Sequence, residues 1–362
     1  MKLLKHILPA SLLCCCAAAA LTACSADDDL KGHVPSAPTI QVVSNDLLFT
    51  APGGTSSVEV AVGSAALTAT TDADWCTATV NGSVVTVSVQ TNGDFEGRTA
   101  ILTLKAGEAV RQLPVQQLGM VLGSLPVSSR GVAVGGETFS YTIAHDLPMT
   151  VATDQLWLHA TLEGERLTVS VDGNEGGHLR RGRVVTECSG IRDTLGIAQY
   201  DLENDILGSY YILGYFGGNT NQPTGSRFDV LSRNDSILMR WANSSGRYDN
   251  TYIPLGFDRG SATLYIPSGF VLYQGSSVTD TGYFYDSNNT LCVSDRSGAA
   301  LRLNYNPTSG YCEAKPTAYN WPGHTLYGFI IRQASPFTNT TVIQLTSIAF
   351  MRVGPEGTSL ND

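Results

Sequence analysis

A chain of 362 residues is too long for one ordinary domain, and the length points to two or three. Hydrophobic residues make up 43% and charged residues only 15%, so there is ample apolar matter for a core and a disordered chain is excluded. Lys and Arg number 22 against 32 Asp and Glu, a net charge of −10; this argues against nucleic acid, whose binding starts from clustered positive charge. Abundant Gly, Thr, Ser and Val with few Lys disfavour long surface helices, so the fold class expected is all-β.

Lys2 and Lys5 precede an apolar run from Ile7 to Leu21, the pattern of an export signal and too short to span a bilayer. The run ends Leu21-Thr22-Ala23-Cys24, which resembles a bacterial lipobox. That resemblance implies residues 1–23 as a lipoprotein signal peptide, with cleavage after Ala23 and a lipid on the Cys24 sulfur. Residues 24–37 read as an acidic flexible tether. Its Asp27-Asp28-Asp29 cluster resembles the surface-export signal of Bacteroidetes-type lipoproteins, implying the outer membrane and the cell surface. No other segment reaches the roughly 18 apolar residues of a span, so the lipid is the only membrane contact expected. Of the cysteines beyond Cys24, Cys292 and Cys312 share the last third of the chain and are expected to form a disulfide. Cys76 and Cys188 read as buried small hydrophobes.

An internal repeat of about 82 residues follows. Residues 53–92 align without gaps on 135–174 with 14 identities, among them Asp72/Asp154, Trp75/Trp157, Gly82/Gly164 and Asn92/Asn174. One inserted residue then brings Arg98 onto Arg181 and Ile101-Leu102-Thr103 onto Val184-Val185-Thr186; both copies close on a Gln, Gln117 and Gln199. Val85, Val87 and Val89, and again Leu167, Val169 and Val171, alternate with polar residues at the period of a half-buried strand. Asn81-Gly82 marks a hairpin. Two tandem immunoglobulin-like β-sandwiches are expected, over 38–118 and 119–201, with Trp75 and Trp157 as buried core anchors.

Asp72-x-x-Trp75, the Val85–Val89 run, Asn92, Arg98 and Val115-Gln116-Gln117 with Gly119 together resemble the BACON family, the Bacteroidetes-associated carbohydrate-binding often N-terminal domain. The second copy keeps Trp157, Val169 to Val171, Asn174 and Arg181 but ends Ile197-Ala198-Gln199-Tyr200 without the Gly. The resemblance implies an immunoglobulin-like module of surface glycan-handling proteins. It supplies no binding residues, and the two copies are expected to serve more as a stalk than as binders.

Residues 202–362 hold 23 of the chain's 30 aromatics and read as an antiparallel β-barrel or β-sandwich domain. Arg227 to Leu231, Asn234-Asp235 and Ser236 to Trp241 form a hairpin, and Leu301, Leu303 and Tyr305 alternate with Arg302 and Asn304. Catalytic signatures are thin: His324 is the one histidine of this part, and the chain has no H-E-x-x-H and no phosphate-cradling glycine loop. Asp172 to Gly177 resembles the start of a calcium loop but lacks the fifth-position acid or amide, and position 183 is Arg where the loop needs Glu. No metal, cofactor or catalytic residue is expected. Aromatics in turn-rich, polar surroundings are the candidates for stacking on sugar rings: Trp241 and Tyr248 near Asn243 and Asp249, and Tyr311, Tyr319 and Trp321 near Asn320. The expected function is therefore non-catalytic binding of a glycan, neutral in view of the acidic chain. A structural or adhesive surface protein gripping a protein partner is the alternative, and a glycoside hydrolase is less favoured.

Replacing Cys24 by Ala is expected to abolish lipidation and processing before residue 24 and to remove the protein from the outer-membrane fraction. Fractionation and N-terminal mass spectrometry check these outcomes.

Overall fold

The computed structural model describes residues 39–242 and 247–358. The signal segment, Cys24, the acidic tether and Asn243 lie outside the described residues. Among the described residues no helix is long and apolar enough to cross a membrane.

The alternation produces two sandwiches. In the first, one sheet runs in the order Gln41–Asn45, Gly54–Ala61, Val84–Val89, Cys76–Asn81. The other runs Leu48–Phe49, Ala109–Gln117, Arg98–Ala106, Leu67–Thr71. Inward residues of both sheets, among them Val58, Val60, Val85, Val87, Leu102, Leu104 and Val115, fill the space between them. The second sandwich repeats the plan, with Glu137–Thr142, Arg166–Val171, Leu158–Glu163 over Met149–Thr153, Arg180–Cys188, Ile191–Gln199, Ser129–Val132. In each, a short early strand pairs parallel to the last strand: Leu48–Phe49 on Ala109–Gln117, and Ser129–Val132 on Ile191–Gln199.

The structure corrects the repeat's register. The paired strands recur at a constant offset of 82 from Leu67–Thr71 to Ala109–Gln117, with no insertion. Arg98 therefore matches Arg180, not Arg181, and Leu102 matches Val184. The side chains agree. Arg98 Nε donates to Gln117 Oε1 at 2.8 Å, and Arg180 Nε to Gln199 Oε1 at 2.7 Å. Gln117 Nε2 donates to the Ala51 and Gln90 carbonyls, and Gln199 Nε2 to those of Ala133 and Asp172. The mismatch arose because two arginines stand side by side and identity alone could not choose between them.

Trp75 and Trp157 pack against their cores as expected but are half-buried rather than fully enclosed. The next residue in each copy, Cys76 or Leu158, opens the strand and points inward, so strand alternation turns the indole toward the rim. There the guanidinium of Arg98 or Arg180 covers the ring, 4.4 and 4.2 Å from its centre. The motif thus builds a clamp in which one arginine roofs the tryptophan and holds the buried glutamine that ties the last strand to the loops.

The C-terminal domain is a single antiparallel sheet curled around its own core. From one edge it runs Phe270–Gln274, Thr279–Asp286, Leu326–Ala334, Asn339–Gly354, Gly208–Phe216 and Pro223–Arg233. It continues through Ser236–Trp241, Tyr252–Asp258, Thr263–Pro267 and Gly298–Arg302 to Thr317–Tyr319. Asn234 and Asp235, both at positive φ, make the expected hairpin turn. The free edge of the 16-residue strand Asn339–Gly354 is split between two partners. Its first half pairs with Leu326–Ala334, and Arg352, Met351 and Phe350 pair with Tyr311–Ala314, the second arm of a hairpin begun by Asn304–Asn306.

Nine of the 23 aromatics of this domain are buried. Tyr210, Phe228, Trp241, Phe329 and Phe270 form a stacked series with successive ring centres 5.2–6.0 Å apart. Cys292 and Cys312 are separate free thiols, so the expected disulfide is absent. Both are buried in different places: Cys292 lies in the loop after the Leu291 bridge, its amide donating to the Phe284 carbonyl, whereas Cys312 sits on Tyr311–Ala314 opposite Arg352. Burial pushes the Cys312 thiol up to about 12, which removes the thiolate needed for oxidation.

Gln199→Ala is expected to destabilise the second sandwich by about 3 kcal/mol, because the carbonyls of Ala133, Val134 and Asp172 and the Arg180 guanidinium lose their buried partner. Chemical denaturation followed by Trp157 fluorescence measures it. Alkylation of unreduced, unfolded protein is expected to label Cys76, Cys188, Cys292 and Cys312 in full; mass spectrometry counts the adducts.

Candidate functional site

The five aromatics expected to bind ligand do not assemble. Trp241 is 2% exposed and lies mid-stack between Phe228 and Phe329, so it is a core residue. It ends a strand whose inward positions are Ile237 and Met239, and the alternation carries it inward too. Tyr248 is 3% exposed; its hydroxyl donates to Asp280 Oδ2 at 3.1 Å, beside the Arg247 Nε–Asp280 pair at 2.7 Å. Burial and the Asp280 charge push its phenol up to about 12. These groups pin a loop onto the sheet and present no platform to ligand.

Trp321 is half-buried, but one face of its indole is taken by His324, ring centres 4.2 Å apart and 9° from parallel. His324 Nδ1 in turn lies 2.7 Å from Asp286 Oδ2. That imidazole, helped by the Thr290 and Asn288 amides and opposed by burial, holds the Asp286 carboxyl below the usual range. Tyr319 leans on Tyr265 at 4.5 Å. Tyr311 sits apart, opposite Asn306 on the short hairpin. Asn320 is engaged at home: its side chain donates to the Arg296 carbonyl, and its own carbonyl accepts from Ser297.

A groove lies on the outer face of the two central strands. In Gly208–Phe216, Tyr210 and Ile212 point into the core, so Tyr211, Leu213 and Tyr215 point out, half-buried. In Asn339–Gly354, Ile348 and Phe350 are buried and Ala349 and Met351 face out. Ser347, at φ +52, bends this strand where its register against Gly208–Phe216 shifts. A first lobe of about 440 Å³ is bounded by Tyr211, Tyr215, Pro223, Thr224 and Ser347. Its floor depends on Gly225, where a Cβ would come within 2.9 Å of Leu213 Cδ2. A second lobe of about 660 Å³ shares Leu213 and Ala349 with the first. It is bounded by Asn304, Tyr305, Asn306, Glu313, Lys315 and Met351.

The groove therefore offers three tyrosine rings around an aliphatic floor, with amides and one opposite-charge pair at the rim. Glu313 is fixed by Ser309 Oγ at 2.6 Å and Asn306 Nδ2 at 3.1 Å. Tyr305 is backed by His178 of the second sandwich, ring centres 3.8 Å apart and 12° from parallel. Among the described residues no group of three or more His, Cys, Asp or Glu could hold a metal ion. Tyr211, Tyr215 and Tyr305 were not singled out from the sequence. The signal was there in Tyr211-x-Leu213-x-Tyr215, an apolar row on the opposite side of a strand whose Tyr210 and Ile212 are also apolar.

A family model described as "BACON: Putative binding domain, N-terminal" matches residues 64–118, within the first sandwich. No curated protein matches the chain. Among solved structures, a three-domain tandem from titin is similar at 6% identity and a TM-score of 0.33, covering 84% of this chain and 97% of that one. Another titin fragment, from the I-band, is similar at 8% identity and a TM-score of 0.25, covering 57% and 94%. An endo-fucoidan hydrolase of glycoside hydrolase family 107 is similar at 12% identity and a TM-score of 0.26 over 46% of this chain, which spans 29% of that hydrolase.

Proposed function

We propose that this chain is a non-catalytic, cell-surface lipoprotein, anchored to the outer membrane through Cys24, that binds a neutral glycan in the Tyr211–Tyr215–Tyr305 groove. The observation that carries the reading is that groove: half-exposed rings on an apolar floor, ringed by hydroxyls and amides. Sugar hydroxyls exchange water for protein at a net gain of only about 1 kcal/mol per hydrogen bond, so affinity depends on stacking the C–H faces of the sugar on aromatic rings. Tyrosine supplies that area with little ordering cost. The BACON match to residues 64–118 supports a carbohydrate-handling role, and the clamp of Arg180, Gln199 and Trp157 supports reading the second sandwich as another module of that kind. Among the described residues Glu313 is the one carboxylate lining the groove, whereas glycoside hydrolysis commonly needs two flanking the scissile bond, and this favours reading the groove as a binding site. Glu313 and Lys315 cancel in charge, which favours a neutral sugar.

Calorimetric titration of the mature chain with xylohexaose, mannohexaose and cellohexaose tests the proposal. Binding to at least one is expected, with little dependence on moderate salt. Tyr215→Ala is expected to weaken it about tenfold, some 1.4 kcal/mol, at unchanged melting temperature. Equal affinity in Tyr215→Ala and wild type would reject the groove, and chain cleavage of the hexasaccharide would reject the non-catalytic reading.

A further inference from the structure

We infer that the second sandwich is part of the binding site, with His178 as the residue that positions Tyr305 in the groove. The inference rests on the groove reading above. It starts from a comparison the molecule makes with itself. The two sandwiches share their clamp and strand spacing, so positions where the copies part company show what the second one does in addition. At the offset of 82, Arg181 corresponds to Thr99, Ala198 to Gln116, Tyr200 to Leu118 and His178 to Glu96, and in the first copy all four are exposed.

In the second copy these positions meet the C-terminal domain. Leu179 and Ala198 are 4% and 1% exposed and join the core of that domain. Arg181 donates to the carbonyls of Ser261, Ala262 and Leu303 and to Asn304 Oδ1, at 2.6–3.3 Å. Burial, with the like charge of Arg302, lowers its guanidinium to about 10, still protonated at neutral pH. Tyr200 donates to the Arg259 carbonyl at 3.0 Å. At Gly131, a Cβ would sit 2.1 Å from that same carbonyl, so a side chain there would force the two units apart.

Two neighbouring groove residues are thereby held from outside their own domain, Asn304 by Arg181 and Tyr305 by the ring of His178. A ring already stacked on one face has little freedom left to lose when a sugar arrives, and the ordering cost of binding falls accordingly. The ligand this arrangement fits is an oligosaccharide long enough to contact both lobes, since the held ring belongs to one lobe and Tyr211 and Tyr215 to the other.

The test uses the full mature chain and whichever of the three hexasaccharides it binds. His178→Ala is expected to weaken binding about three- to tenfold at unchanged melting temperature, and His178→Phe, which keeps the stack, to restore it. Hydrogen exchange of the peptide containing Asn304–Asn306, measured without sugar, is expected to speed up in His178→Ala and return in His178→Phe. If Tyr215→Ala loses affinity while His178→Ala binds like wild type, the groove stands and this inference falls. If no hexasaccharide binds, the glycan reading falls, and the exchange data decide alone: acceleration keeps His178 as the positioning residue, and unchanged exchange overturns it.

Discussion

Arg180 and Arg181 stand side by side on one strand, and the pleat sends them to opposite faces. Arg180 turns back into its own sandwich, roofing Trp157 and bonding Gln199. Arg181 turns outward and is half-buried against the C-terminal domain. A buried guanidinium costs several kcal/mol of lost hydration unless its donors are met. The carbonyls that meet them come from two places far apart in sequence, the turn at Ser261-Ala262 and the strand exit at Leu303. They converge because Thr263 pairs with Arg302 at the end of that ladder. The placement of the C-terminal domain on the second sandwich therefore depends in part on one ladder register inside the former and one residue's parity in the latter.

The sandwiches and the curled sheet dispose of their outer faces differently. Each sandwich strand has one face against the opposite sheet and a polar face outside. The C-terminal sheet encloses its core by curling, so its outer face has no second layer to cover it. Where that outer face stayed polar nothing is gained. Along Gly208–Phe216 and Asn339–Gly354 it is apolar, and the groove results. At Ser209 the outer face carries a different load: Asp229, fully buried, is bonded by Ser209 and Arg240, and Gly357 reaches back to Ser209. That network ties the segment around Gly357 back onto the sheet at Ser209.

Period-two patterning made the strands readable, as did the turn at Asn234-Asp235 and the repeat, because each depends on neighbours in sequence. Burial of Tyr248 and both domain cysteines is decided by which strands curl over them, and nothing local records that. Polar neighbours such as Asn243 and Asp249 suggested an exposed loop around Trp241, yet the indole closes the inward row of its own strand. The half-burial of Trp75 and Trp157 was missed for a subtler reason: a tryptophan just before a strand and one just inside it look alike in a sequence, and only the Cys76 and Leu158 parity separates them. The groove tyrosines were missed because apolar residues on both sides of a strand were credited wholly to the core.

The parallel pairing of an early strand with the last strand in each sandwich bears on how the chain carries tension. The Gln116 and Leu118 amides donate to the Leu47 and Phe49 carbonyls at 2.8 Å, and the Gly196 and Tyr200 amides to those of Ser128 and Val132 at 2.9 and 3.1 Å. A pull that enters a sandwich at its first residues and leaves at its last runs along these parallel strands in opposite senses. The bonds between them are then stretched side by side in shear, sharing the load, and must break together. Antiparallel hairpin strands pulled from their open ends would unzip one bond at a time. The same buried glutamine that ties the last strand to its loops stands at the head of each sheared pair, so the clamp braces the fold where tension would be highest.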